Sequence, residues 1–421
     1  MNADLHNPTR RQLLLGSGAL FAWANVPKIA RAEGRDPRFL VIVLRGALDG
    51  LATVAPVGDP DWFKLRGDAA LGHEGSNAAL PLDGFFALNP AMPELHRIYK
   101  AGQAIVVHAV ATPYRERSHF DGQDVLESGM PKPGAVDSGW LNRTLSSLAS
   151  GGRVPDAHGA LAVGAVTPLV VRGPAPIISW APTKLPPPTE DTLGRLLDLY
   201  RHTDPALAHV LEERVGIAAI AGVDPMRMAE PSKTPMPTAG RRDDHGAARV
   251  KLAFASSASA AARFFAKENG PRVGALVFDG WDTHANEGET HGRLATLLGA
   301  LDGAIAAVER GMGPAWSETA VAVVTEFGRT AHINGTLGTD HGTATVALLA
   351  GGALKGGRVI ADWPGLADTM LYGGRDLKPT TDLRAVLKGV LKDHLRVSGA
   401  ALDTAIFPDS AAAKPLTGIM A

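Results

Sequence analysis

The chain has 421 residues, 45% hydrophobic and 20% charged, with a formal net charge of -1, 48 glycines, 30 prolines and no cysteine. That length and composition fit a globular protein with a large core and many turns, and a balanced charge without a basic cluster gives no pull toward nucleic acid. The lack of thiols excludes disulfides, thiolate metal sites and a cysteine nucleophile, so any metal must be held by histidine, carboxylate, hydroxyl or water, donors that suit zinc, manganese, magnesium or calcium.

The first predicted element is a leader. In TRRQLLLGSGALFAWANVPKIARAEG, Arg10 and Arg11 precede an apolar stretch from Leu13 to Val26, and Ala30-Arg31-Ala32 offers a small-x-small cleavage site. This layout predicts a secretory signal over residues 1–32 of the twin-arginine type, and so a periplasmic or secreted protein handled by the twin-arginine export machinery. The apolar stretch is short for a membrane helix of about 20 residues, and no other segment is long enough. No integral span is therefore expected after signal removal.

The mature chain opens on RFLVIVLRGALDG, whose run Phe39 to Leu44 is continuously apolar. Four similar runs follow, at Ala104 to Thr112, Val273 to Gly280, Ala320 to Phe327 and Ala344 to Gly352. Runs of this kind predict strands buried on both faces of a parallel sheet. Between the third and fourth, Leu294, Leu297, Leu298, Leu301, Ile305 and Val308 recur at helical spacing. Alternating strands and helices predict one α/β domain over 33–421, with a mainly parallel sheet and helices on both faces. The middle, about 181–270, reads as a helical insertion: a proline-rich link APTKLPPPTEDT, helix to about Ala221, a polar loop over 224–246, then helix from AARVKLAF.

In open α/β sheets, ligands gather beyond the carboxyl ends of the strands. After the first run stand Arg45 and Asp49; after the second, Arg115, Arg117, Ser118, His119 and Asp121; after the third, Asp282, His284 and Glu287. Glu326 and Arg329 follow the fourth, and Asp340 and His341 precede the fifth. Each has a plain structural role available: Asp49 and Ser118 as helix caps, Asp340 as a turn residue, Arg329 as an ion-pair partner of Glu326. Their common placement is the argument for a site. His332 reads as loop surface.

These residues carry a resemblance. GWDTHANEGETHGRLATLLGALDGAIAAVERGMGPAWSETAVAVVTEFGRT is similar to the ligand–helix–strand unit of the alkaline phosphatase superfamily, which includes phosphatases, sulfatases and cofactor-independent phosphoglycerate mutases. Within it the chain most resembles the exported bacterial group DUF1501, through LRGALDGL, RSHFDGQDVLESG, GWDTHANE and EFGRT…GTDHG. The resemblance implies an alkaline phosphatase-like fold and one or two divalent ions, zinc, manganese or calcium. It implies metal ligands at Asp49, Asp282, His284, Glu326, Asp340 and His341, and a nucleophile at Ser118, matched by order along the chain only. Arg115, Arg117 or Arg329 would grip a transferred anion, and His119 would act as general acid or extra ligand. Two departures stand out: Asp282 and His284 are two residues apart rather than one helical turn, and Glu326 is followed by Phe327 where the superfamily has Asp-His.

The expected function is metal-dependent hydrolysis of phosphate or sulfate esters, on a small-molecule or polymer substrate. The alternative is a catalytically degenerate relative that serves as an exported binding or assembly protein. A cofactor-dependent oxidoreductase fits less well, because LRGALDG lacks the GxGxxG spacing and no haem or iron–sulfur ligand pattern is present.

Overall fold

Strand β1 (Arg38–Arg45) carries the run RFLVIVLR through the middle of the sheet. Its side chains alternate between two cores: Leu40, Ile42 and Leu44 face one, and Phe39, Val41 and Val43 face the other. A strand with apolar neighbours on both faces needs no polar alternation, which is why the run is continuous. The computed structural model describes residues 35–75, 77–150, 159–164, 166–181, 190–220 and 242–421, and Pro37–Ala421 form one compact unit. The expected signal over 1–32, the proline-rich link at 182–189 and the 224–241 part of the expected loop lie outside the described residues.

After β1 come β2 (Val54–Ala55), β3 (Leu80–Pro81), β4 (Ala87–Leu88), β5 (Ala104–Ala111), β6 (Ala160–Val163) and β7 (Ile177–Trp180). They are followed by β8 (Val273–Asp279), β9 (Thr319–Thr325), β10 (Thr345–Ala350), β11 (Arg358–Ile360) and β12 (Thr381–Asp382). β2, β4 and β3 form a small antiparallel sheet. The other nine strands form one sheet in the order β11-β5-β10-β9-β1-β8-β6-β7, with β12 beside β5. All its pairings are parallel except those of β10, which runs against both β5 and β9. The fold is thus α/β with a mainly parallel sheet.

Helices cover both faces. Pro93–Lys100, Arg242–Ala266 and Arg293–Met312 supply Leu95, Ile98, Phe254, Phe265, Leu297 and Leu301 to one core. His119–Ser128, Trp140–Ser150 and Leu383–Asp393 supply Leu126, Trp140, Leu141, Val386 and Val390 to the other. Among the described residues, no helix is long and apolar enough to cross a membrane.

Three features differ from the expectation. β6 and β7 were not anticipated, because runs of four residues bounded by glycine and proline carry little periodic signal. Helix Arg242–Ala266 starts inside the stretch 224–246 expected to be loop. Its second half belongs to the main core rather than to an insertion over 181–270, since Phe254, Ala258, Ala261, Phe264 and Phe265 are buried there. Small residues let it lie close against Arg293–Met312: a Cβ on Gly311 would stand 2.5 Å from the Cβ of Ala262.

His108 on β5 is fully buried and neutral by its partners: Nε2 donates to the Val54 carbonyl at 2.9 Å, and Nδ1 accepts from the Ala109 amide at 2.8 Å. A second proton would find no acceptor, and burial pushes the imidazole from 6.5 down to about 4. The folded state therefore refuses a proton that the unfolded chain takes up. The associated stability is complete above pH 6.5 and is lost as pH falls toward 4. The loss is about 3 kcal/mol, at 1.36 kcal/mol per unit. Denaturant titrations across that window should show this fall, and His108→Gln should flatten it.

Candidate metal centre

The carboxyl ends of β1, β5, β8 and β9 open on one edge of the sheet, and antiparallel β10 begins at the same edge. Loops leaving these ends bring His119, Asp282, His284 and His341 together. His341 Nε2 lies 2.9 Å from His119 Nε2, 3.0 Å from His284 Nε2 and 3.3 Å from Asp282 Oδ1. Asp282 Oδ1 is 3.0 Å from His284 Nε2, and its Oδ2 is 3.5 Å from His119 Nε2. His119, Asp282 and His341 each offer a ligand atom within 4.8 Å of the others.

The outer nitrogens fix the tautomers. His341 Nδ1 donates to the Arg117 carbonyl at 2.9 Å, which can only accept. His119 Nδ1 donates to Glu326 Oε1 at 2.9 Å and His284 Nδ1 to Asp340 Oδ1 at 3.2 Å. Burial pushes Glu326 up, but hydrogen bonds from His119, Gly46 and Gln123 outweigh it and hold the carboxyl below its usual range. Glu326 in turn holds His119 above its usual range, while burial and the charge of His119 push His341 down. With every Nδ1 proton committed outward, three Nε2 atoms and a carboxylate face one another at hydrogen-bonding distance, an inner face that a proton on His119 or a cation completes. Such an arrangement needs positive charge at its centre.

The donor set fits a cation. Two ligands of a tetrahedral zinc with bonds of 2.0–2.1 Å stand roughly 3.3 Å apart, inside the 2.9–3.5 Å range found here. Outer partners that orient each imidazole are the usual support of a metal site. Three imidazoles and one carboxylate suit zinc better than calcium, which takes six to eight oxygens.

Several expected site residues stand elsewhere. Asp49 does not join the cluster: it caps the Gly50–Thr53 turn through the Ala52 amide, and Arg66 donates to both its oxygens at 2.7 and 3.1 Å. Glu326 stands behind His119 rather than among the converging atoms. Asp340 stands likewise behind His284. The Arg329 guanidinium is buried and committed to Asp282 and Thr339, so it holds Asp282 instead of gripping a ligand or pairing with Glu326. Arg115 donates to the Thr112 and Tyr114 carbonyls, and Arg117 to Asp376. The Ser118 side chain makes no cap bond to its helix; the residue's amide donates to the Tyr114 hydroxyl at 3.2 Å. His332 is a half-exposed loop residue beside Asp368.

Gly46, which was not among the site candidates, and Glu287, which was, both support the cluster from behind. Gly46, at φ +121, donates its amide to Glu326 Oε1 at 2.8 Å. A Cβ there would stand 2.5 Å from the Asp282 amide, so the loop bearing Asp282 rests directly on this glycine. Glu287, whose carboxyl burial and nearby Asp49 push up, accepts from Thr283 and Thr339, and Thr339 accepts from Arg329. An LRG sequence at a strand end was the one available hint for Gly46.

Residues 103–406 match the family model described as protein of unknown function (DUF1501). No curated protein matches the chain in sequence. Among solved structures, the chain is similar to Ps i-CgsB in complex with k-i-k-neocarrahexaose, at 11% identity and TM-score 0.40, over 90% of this chain and 77% of that one. It is also similar to the phosphonate monoester hydrolase of Agrobacterium radiobacter, at 11% identity and TM-score 0.35, over 86% of this chain and 74% of that one. Residue roles here rest on the geometry alone.

Glu326→Gln removes the anionic acceptor behind His119. Zinc affinity is expected to fall about 10–100-fold, the usual cost of losing an outer partner. Competition against a chromogenic chelator measures it.

Proposed function

Because the chain belongs to the DUF1501 family, described only as of unknown function, its role is read from its own site, and we propose that it is an exported metal-dependent hydrolase of phosphate or sulfate esters. The observation that carries this reading is the convergence of three outward-anchored imidazoles and Asp282 at the carboxyl edge of the sheet. His119, Asp282 and His341 would hold one divalent ion, best zinc, with His284 beside His341 and Asp282 as a further donor; Asp49, taken by Arg66, leaves no matching second set. A bound ion of this kind supplies Lewis-acid polarisation and a nucleophile at neutral pH.

The chain's own residues would do the rest. Ser118 stands one residue before His119, at the start of the His119–Ser128 helix, whose first amides and dipole favour an anionic group. The partly exposed side chains of Asp282 (38%) and His284 (46%) mark the side from which an ester would enter. Buried Arg329 keeps Asp282 ionised, outweighing the effect of burial.

One observation favours a second reading. His284 Nε2 lies 3.0 Å from both His341 Nε2 and Asp282 Oδ1, and as a fourth donor it would close the coordination, the arrangement of structural rather than catalytic zinc. On that reading the protein is an exported binding or assembly protein that keeps the ion for rigidity.

The deciding experiment purifies the chain without chelator, measures bound metal, and assays phosphate, sulfate and phosphonate esters before and after metal stripping and zinc return. About one equivalent of metal is expected, with ester turnover lost on stripping and restored by zinc. Asp282→Ala should lower turnover at least about 100-fold. Folded protein without metal, gaining nothing from zinc or manganese, would falsify the metal reading. Bound metal with no turnover on any ester would favour the second.

A further inference from the structure

Asp376 lies 35 residues beyond His341 in the chain, after β11, and none of the motifs points to it. Its side chain is fully buried. Oδ2 accepts from Arg117 Nε at 3.0 Å, from Arg117 Nη2 at 2.7 Å and from Thr343 Oγ1 at 2.7 Å. Oδ1 accepts from Arg375 Nε at 2.9 Å. A buried carboxylate satisfied on both oxygens is a rigid anchor, and each of its partners leads to the same imidazole.

The first path runs through the Arg117 backbone. Arg117 sits at φ +60, a conformation that residues other than glycine seldom hold without reason. In that conformation its carbonyl accepts the Nδ1 proton of His341. The second runs through Arg375, whose other guanidinium nitrogen donates to the His341 carbonyl. The third is Thr343, two residues along the chain from His341. One carboxylate thus fixes the imidazole through its outer nitrogen and through the backbone that follows it, at the His341 carbonyl and Thr343.

We propose that Asp376 is the positioning residue of the centre: by clamping Arg117, Arg375 and Thr343, it locks His341 as the tautomer whose Nε2 faces Asp282, His119 and His284. The inference rests on the metal reading for its consequence, though the lock itself belongs to the metal-free chain. His341 is the imidazole in contact with each of the other three donors. Releasing it therefore disturbs every pair at once.

The test uses the full mature chain as wild type, Asp376→Asn and Arg117→Gln. The second variant breaks the same ion pair from its partly exposed end and serves if burial makes Asp376→Asn fail to fold. Long-range proton–nitrogen NMR of the histidine rings in stripped protein reads the tautomers, chelator competition reads zinc affinity, and the cobalt(II) visible spectrum reads ligand geometry. In the wild type His341 should be protonated at Nδ1 alone, and in the variants it should become a mixture. Zinc affinity should fall about 10–100-fold, with a shifted cobalt spectrum. A purely structural role would lower the melting temperature and leave the tautomer, and that result overturns the proposal. An unchanged His341 in folded Arg117→Gln overturns it as well. Wild type that takes up neither zinc nor cobalt defeats the metal reading, and the tautomer measurement still judges the lock.

Discussion

The centre depends on where three protons go. Glu326, Asp340 and the Arg117 carbonyl each take an imidazole Nδ1 proton, and so three Nε2 atoms point inward. Nitrogens 2.9 and 3.0 Å apart repel unless a proton or a cation lies between them. Arg329 adds to the arrangement by holding a carboxylate among them. The protein therefore gathers nitrogen and oxygen donors whose complement is a proton or a cation, and the outer partners are what aim them inward.

The sheet makes this possible at one edge. Parallel β1, β5, β8 and β9 end there, and the single reversed strand, β10, starts there. Were β10 parallel to its neighbours, Asp340 and His341, which precede it, would sit at the opposite edge. Reversal of one strand thus supplies a ligand and its neighbour's partner without another crossover helix. The edge is tightly settled: the Asp282 loop lies against Gly46 so closely that a methyl group has no room.

Much of the fold was legible because its strands are buried on both faces, which writes them as unbroken apolar runs. The residues flanking those runs could be named as site candidates for the same reason. What remained hidden was the allocation of roles among them. Asp49 reads as a ligand until Arg66, seventeen residues on, is seen to occupy both its oxygens. Glu326, Asp340 and Arg329 reach the centre only through His119, His284 and Asp282. A sequence distinguishes donor types, but an inner from an outer partner differs only by a few ångströms of packing. Asp376 had no signal at all, since a buried aspartate in GGRDLKPTT reads as a turn residue. β6 and β7 were too short to show a period.

Most contacts of the cluster are distant in the chain, that between Asp282 and His284 being the exception. His119 meets Glu326 across 207 positions and His341 across 222, while Gly46 reaches Glu326 across 280. Local pairing brings Asp282 beside His284 and Arg329 beside His341, but joining these pieces waits for β1, β5, β8 and β9 to find their order, the slow kind of step in folding. On the metal reading proposed above, uptake is then a late event, since a chain halted midway through folding has not yet joined His119 to His341. On that reading, loading the ion and completing the sheet become a single quality check.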